Sequence, residues 1–304
     1  MDTLLKWAIL NTATAGEDAP HDGSRSEPQK LDPAVIDAIL GKPASVQMTE
    51  CLDAVEHPQT PSAARVVALD DLEMLVGNID NATNIDALKL WPRLAALYTD
   101  ADSHVRAGTL WVSATALQHN QRAQAAFSKH SLLAPVLQVL DTDDDVGVRA
   151  KALLCVSAYV RANPAGLAEF VALDGLALLL RALEGGSASH VQRVLFLLGA
   201  LVDEALDEAT PEELRPAARL PAAIADLGFV DSAAAAILRF AGDESVAAAI
   251  FGRATAFLVS LSATSEGHAA VCSSTQLCHA VDYTTRADPA DVELIHDIIK
   301  SADH

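Results

Sequence analysis

The sequence is short of several things at once, and each shortage closes a class of protein. Aromatic residues make up 4% of its 304 residues, and the β-branched residues that strands favour give way to Ala and Leu, so a β-sandwich or barrel is excluded and an all-helical chain expected. Basic residues number 21 against 41 acidic ones, a formal charge of −20. That field repels phosphate backbones and anionic lipid, so neither nucleic acid nor a membrane is expected as a partner. The longest uncharged apolar run, Val194 to Val202, falls well below the roughly 20 residues that span a bilayer. The N-terminus lacks the basic flank and long apolar stretch of a secretion signal, so a cytoplasmic location is expected.

Chemistry-bearing patterns are missing too. Cys51, Cys155, Cys272 and Cys278 are scattered and imply no disulfide framework, and Cys272, Cys278 and His279 fit no common zinc spacing. There is no His-Glu-x-x-His pair, no Gly-x-Ser-x-Gly elbow and no Gly-rich loop ending in Gly-Lys-Ser/Thr. No catalytic residue, metal site or cofactor is therefore predicted, and the chain does not read as an enzyme. Gly185-Gly186-Ser187 follows a helix ending at Glu184 with no lysine nearby, and reads as a linker. Asp141-Thr142-Asp143-Asp144-Asp145 imitates the opening of a calcium loop. Val146 stands where the loop needs Gly, and Ala152 where it needs a bidentate Glu, so a solvated turn between helices is the better reading.

What the chain does contain is a cadence. Val66, Val105 and Val148 are each followed fifteen residues later by Asn, at Asn81, Asn120 and Asn163, and steps of 43 residues connect Val105, Val148 and Val191. Phe127 and Phe170 also differ by 43, as expected if one ring fills the same slot of successive units. A period in this range marks an armadillo or HEAT-type solenoid, whose layers each leave an apolar face that only the neighbour covers. The expected fold is an all-α, right-handed armadillo-repeat solenoid of about four to five layers with capping helices, over residues 31–304.

Residues 1–30 are expected to form a flexible N-terminal segment, because residues 11–30 offer almost nothing large and apolar to bury against the entropy of ordering. Asp32 and Pro33 open a helix to Leu40, and others are expected over about 45–56, 64–78, 105–118, 148–161 and 291–300, the last a polar-faced cap. An acidic, Pro-containing insertion from Asp203 to Arg215 interrupts the fourth layer. If Gly267 takes the slot of Gly166, the fifth counterpart of Val148 is Ala249, 58 residues after Val191.

Arg106, Arg149 and Arg193 stand near the starts of long helices, where the helix dipole disfavours a cation. They could form a ladder along an inner wall for a partner's carboxylates, or make inter-layer ion pairs; the sequence leaves both open. Leu4, Leu5, Trp7 and Ile9 make a helical-spaced apolar patch that either docks on the protein itself or is offered to another.

The segments LLKWAIL at the start, DDLEMLVGNIDNATNIDALKLW over Asp70 to Trp91, VRAKALLCVSAYVR over Val148 to Arg161 and FVALDGLALLLRAL over Phe170 to Leu183 resemble the Fes/HspBP family of armadillo-type exchange factors for the Hsp70 chaperone. The resemblance implies a co-chaperone whose concave face binds the Hsp70 ATPase domain and promotes ADP release. It implies partner-binding roles for Asn78, Asn81, Ala82, Asn84, Arg106, Arg149 and Arg193. Ala82 would sit at a close contact, so that a bulky charge there blocks the partner and spares the fold. It also implies that Leu4, Leu5, Trp7 and Ile9 visit the Hsp70 substrate groove as a client mimic. A monomer is expected. The alternative is an armadillo adaptor for basic peptides, disfavoured because Trp111 is followed four residues later by Thr115 rather than Asn.

Overall fold

The computed structural model describes residues 41–209, 219–283 and 289–301. The chain falls into two units, residues 1–47 and 48–304. Of the first, only residues 41–47 are described: Gly41 has φ 69°, and the Gln47 side chain donates to the Lys42 carbonyl at 2.6 Å. The expected helix over 33–40 and the apolar patch Leu4, Leu5, Trp7 and Ile9 lie outside the described residues, as does the part of the acidic insertion from 210 to 215.

Among the described residues there are seventeen helices and no strand. Helices α1 (Ala44–Glu56) and α2 (Ser62–Val76) come first. The first three-helix layer is α3 (Ile79–Ala87), α4 (Leu90–Leu97) and α5 (Ser103–Leu117). The second is α6 (Gln121–Lys129), α7 (Leu133–Thr142) and α8 (Val146–Val160), and the third is α9 (Pro164–Ala172), α10 (Gly175–Gly185) and α11 (Ala188–Leu206). The fourth is α12 (Leu220–Asp226), α13 (Phe229–Arg239) and α14 (Glu244–Ser262), and the fifth is α15 (Ser265–Ser273), α16 (Thr275–Tyr283) and α17 (Pro289–Lys300). Two shorter helices and a long one make each of the first four layers, and long helices stack on long helices: α5 on α2 and α8, α14 on α11. This is an armadillo-repeat solenoid.

Local chemistry sets the boundaries. Asn120 accepts from the Ala123 amide and Asn163 from the Gly166 amide, each at 3.1 Å, capping α6 and α9. Thr264 does the same for the Gly267 amide at the start of α15, so Gly166 and Gly267 share a slot. The long helices α5, α8 and α14 are capped by Asp102, Asp145 and Asp243. In each case a short side chain satisfies amides that no helical carbonyl can reach.

The first beat of the cadence is displaced. Asn81 is not a cap: it lies inside α3, where its amide donates to the Leu75 carbonyl at 2.9 Å, and Asn78 caps the helix instead. Val66 is the fifth residue of α2 whereas Val105 and Val148 are the third of their helices, and the turn after α2 is one residue shorter than those after α5 and α8; together these put the cap three residues before Asn81. Ala249 is exposed on α14, whereas Val148 is buried; Ala247 and Ile250 face the core. The one-residue-shorter turn between α14 and Thr264 shifts the register there.

Val105, Val148, Val191, Phe127 and Phe170 are all fully buried. The Trp91 ring meets Phe127 edge-on at 5.4 Å, and Phe127 meets Tyr159 at 5.0 Å, linking the first two layers through aromatic contacts. Helix α14 is long and apolar enough to cross a membrane by composition alone. Its Phe251, Phe257, Leu258 and Leu261 are buried among the neighbouring helices, as in the core helix of a solenoid.

Candidate partner-binding surface

Because each long helix buries one side against the short and medium helices, its opposite side stays open, and the open sides together make a continuous surface. On α2 it exposes Val67 (58%) and Met74 (76%), flanked by Asp70 and Asp71. On α5 it exposes Trp111, whose ring lies 3.3 Å beneath the Lys151 amine of α8. On α11 it exposes Arg193 and Phe196, and Arg161 of the α8 end and Arg253 of α14 approach the Phe196 ring at 5.8 and 5.2 Å. Cations on aromatic faces gain from the ring quadrupole while keeping their charge available.

The electrostatics of this surface are divided along its length. Burial, then the charge of Arg193, holds the Lys151 amine below its usual value, with Glu73 and Asp70 pulling the other way. Acidic residues thus gather at α2 and cations at α8, α11 and α14. Glu73 is engaged by the Thr115 hydroxyl at 2.7 Å, so the residue that weakened the adaptor reading ties α5 to α2.

Of the described residues proposed from sequence, Arg193 lies on this surface and the others are held elsewhere. Asn78 is spent on capping, accepting from the Asp80 and Asn81 amides, and Asn84 is exposed on α3. Ala82 is 2% exposed; it is a packing position, where a small side chain lets helices, not a partner, approach. Arg106 forms a two-pronged ion pair with Asp143, 2.7 and 2.9 Å, and donates to the Asp100 and Ala101 carbonyls. Arg149 donates to the Asp143 carbonyl. For Arg106 the inter-layer ion pair therefore holds. The true row of equivalents is Arg65, Arg106 and Arg149, each the fourth residue of its long helix, with Arg65 paired to Asp100. Arg193 is the sixth residue of α11, turned off that row and onto the open surface.

Sequence reasoning missed Lys151, Phe196 and Arg253, and saw Trp111 only as a failed adaptor motif. The available signal was a large ring on each of two long helices next to positions that had to be buried. Three of the four carboxylates in the calcium-like run are engaged otherwise: Asp141 pairs with Arg181, Asp143 with Arg106, and Asp145 caps α8. Among the described residues no three His, Cys, Asp or Glu side chains converge as metal ligands.

Comparison with known proteins gives this surface a context. The sequence profile described as "Nucleotide exchange factor Fes1" matches residues 1–85. The Hsp70 nucleotide exchange factor FES1 of Coccidioides immitis is 30% identical over 172 residues, 56% of this chain and 81% of that one. The chain belongs to the Fes1 family. Its fission-yeast relative, the Hsp70 nucleotide exchange factor fes1 of Schizosaccharomyces pombe, is 33% identical over 180 residues, 59% of this chain. The Fes1-family match spans 63% of that relative and 60% of the Mycosarcoma maydis protein, under two thirds of their lengths. Among solved structures, a designed armadillo repeat protein in complex with the peptide (KR)4 matches with a TM-score of 0.63 over 83% of this chain at 12% identity, which concerns the fold alone.

Proposed function

We propose that this chain is a nucleotide-exchange factor for a cytosolic Hsp70, binding the chaperone's ATPase domain along the open sides of its long helices and speeding ADP release. The observation that carries the reading is kinship: relatives about a third identical are named Hsp70 nucleotide exchange factors. The surface supports it, since exposed Met74, Trp111 and Phe196 with Lys151, Arg193 and Arg253 offer apolar anchors beside cations, the composition of energetic centres in protein interfaces. Linkage supplies the mechanism. A protein that binds the open ATPase more tightly than the closed one lowers nucleotide affinity by the same factor, with no covalent step.

The segment containing Leu4, Leu5, Trp7 and Ile9 assists, in this reading, by visiting the Hsp70 substrate groove and hindering released clients from rebinding. The factor acts as a monomer. Cations at Lys151, Arg193 and Arg253 weigh against an adaptor for basic peptides on the same surface. The test is stopped-flow release of a fluorescent nucleotide from purified Hsp70: acceleration at stoichiometric amounts is expected, and an unchanged rate would remove the reading. A chain lacking residues 1–30 should release nucleotide normally but clients more slowly; equal client release would remove the second part.

A further inference from the structure

The inter-layer arginine row ends in an unfilled slot. Arg65 reaches Asp100 and Arg106 reaches Asp143, each carboxylate lying in the turn before the next long helix. Arg149 is the next in the row, and the residue 43 beyond Asp143 is Gly186, the C-cap of α10 just as Asp143 is the C-cap of α7. No side chain can be added there without cost, because a Cβ on Gly186 would collide with the Ala182 carbonyl oxygen. In place of a carboxylate there is a cleft of about 240 Å³ lined by Arg149, Arg181, Gly186, His190 and Asp141.

Three further features point the same way. Helix α11 is nineteen residues long, yet Ser187 at its N-cap makes no side-chain cap bond, where the preceding long helices have Asp102 and Asp145. The positive end of its dipole is therefore not offset by a side-chain cap. His190 is 3% exposed; its Nδ1 is bonded to the Ser187 hydroxyl at 2.8 Å, and its buried Nε2 has no hydrogen-bond partner among the described residues. Burial, then the charge of Arg149, holds this imidazole below its ordinary value. Arg239 adds a cation from α13, donating to the Leu183 and Gly186 carbonyls at 3.0 Å. The one carboxylate in the lining, Asp141, is half-exposed and loosely paired with Arg181 at 3.1 Å.

We propose that this cleft is a binding site for a phosphate group, which takes the place that Asp100 and Asp143 occupy in the earlier layers. A tetrahedral oxyanion accepts from donors on several sides at once, here Arg149, Arg181 and the first amides of α11, and matches such a set better than a planar carboxylate. The volume holds a phosphate with several waters, each needing about 30 Å³. The site stands apart from the open long-helix surface and is independent of the exchange reading.

The test is a titration of the ¹⁵N-labelled full chain with inorganic phosphate, following the amides of residues 186–190, with acetate as control and a phosphoserine peptide beside its unphosphorylated form. Saturable shifts with phosphate and not acetate are expected, weakened about tenfold by Arg181→Gln. Ser187→Asp supplies the missing cap and an internal anion, so it should raise Tm and abolish phosphate binding. Tighter binding of the phosphopeptide than of free phosphate would identify a modified partner as the source, and equal binding the free ion. Absent saturation, equal response to acetate, or indifference to both substitutions would overturn the site.

Discussion

Arg106 on α5 and Asp143 in the turn before α8 form a two-pronged ion pair across the boundary between two layers, with only 17% and 8% of their side chains exposed. An arginine that the sequence offered to a partner is thereby engaged by the protein's own next layer. Arg106→Ala should destabilise the chain by roughly 1–3 kcal/mol, because it leaves a largely buried carboxylate unpaired. Thermal unfolding would check this; an unchanged Tm combined with lost Hsp70 binding would return Arg106 to the partner.

Arg193→Ala and Lys151→Ala should behave in the opposite way. Both residues lie on the open long-helix surface, so Hsp70 binding should weaken while the melting temperature moves little. The contrast with Arg106→Ala, measured by titration against the isolated ATPase domain, separates surface from scaffold.

Ala82→Arg should damage folding. The residue is 2% exposed among packed helices, and a guanidinium there brings both overpacking and an unpaired buried charge, costing several kcal/mol. Circular dichroism should show a lowered Tm before any binding assay is informative; a native Tm would mean that the site opens to partners.

Acid should loosen the layer boundaries. Hydrogen bonding to Arg65 and Arg106 holds Asp100 and Asp143 below the ordinary carboxylate value of 3.8. Their contribution is complete above that value and is lost as pH falls through the lower folded values. Asp143→Asn should lower stability at neutral pH and flatten the decline of Tm below about pH 4; parallel curves for variant and parent would refute the assignment.

Ala162 sits at φ 50° between α8 and α9, and its amide donates to Glu204 at 3.1 Å. Left-handed backbone costs a residue with a Cβ about 1–2 kcal/mol, and glycine's extra freedom when unfolded takes back about 0.4–1. Ala162→Gly should therefore stabilise by up to about 1.6 kcal/mol in chemical denaturation, and a loss of stability would contradict this.

Much of the architecture was legible because its causes are local. Asn120, Asn163 and the Asp residues before α5 and α8 announce helix starts by capping chemistry that acts over three residues, and the 43-residue step reports the layer. The left-handed residues were not legible. Lys89, His119, Ser131, Ala162 and Asp174 all have φ between 50° and 57° at turns that recur with the layers, but none is the glycine that would signal such a turn. Their strain is tolerated because the flanking helices are held by packing on neighbouring layers.

By itself, then, the sequence determined a chain of helices, their period, and the apolar stripes that must stack. Only the tertiary structure decided how each charge and each small side chain is used: that Arg106 meets Asp143, that Arg149 faces a glycine where its predecessors face aspartates, that Ala82 is enclosed, and that Lys151 rests on Trp111. Periodicity arises from bonds between residues a few positions apart, whereas these pairings join residues about forty positions apart, and one residue's difference in a turn rotates a side chain from one partner to another.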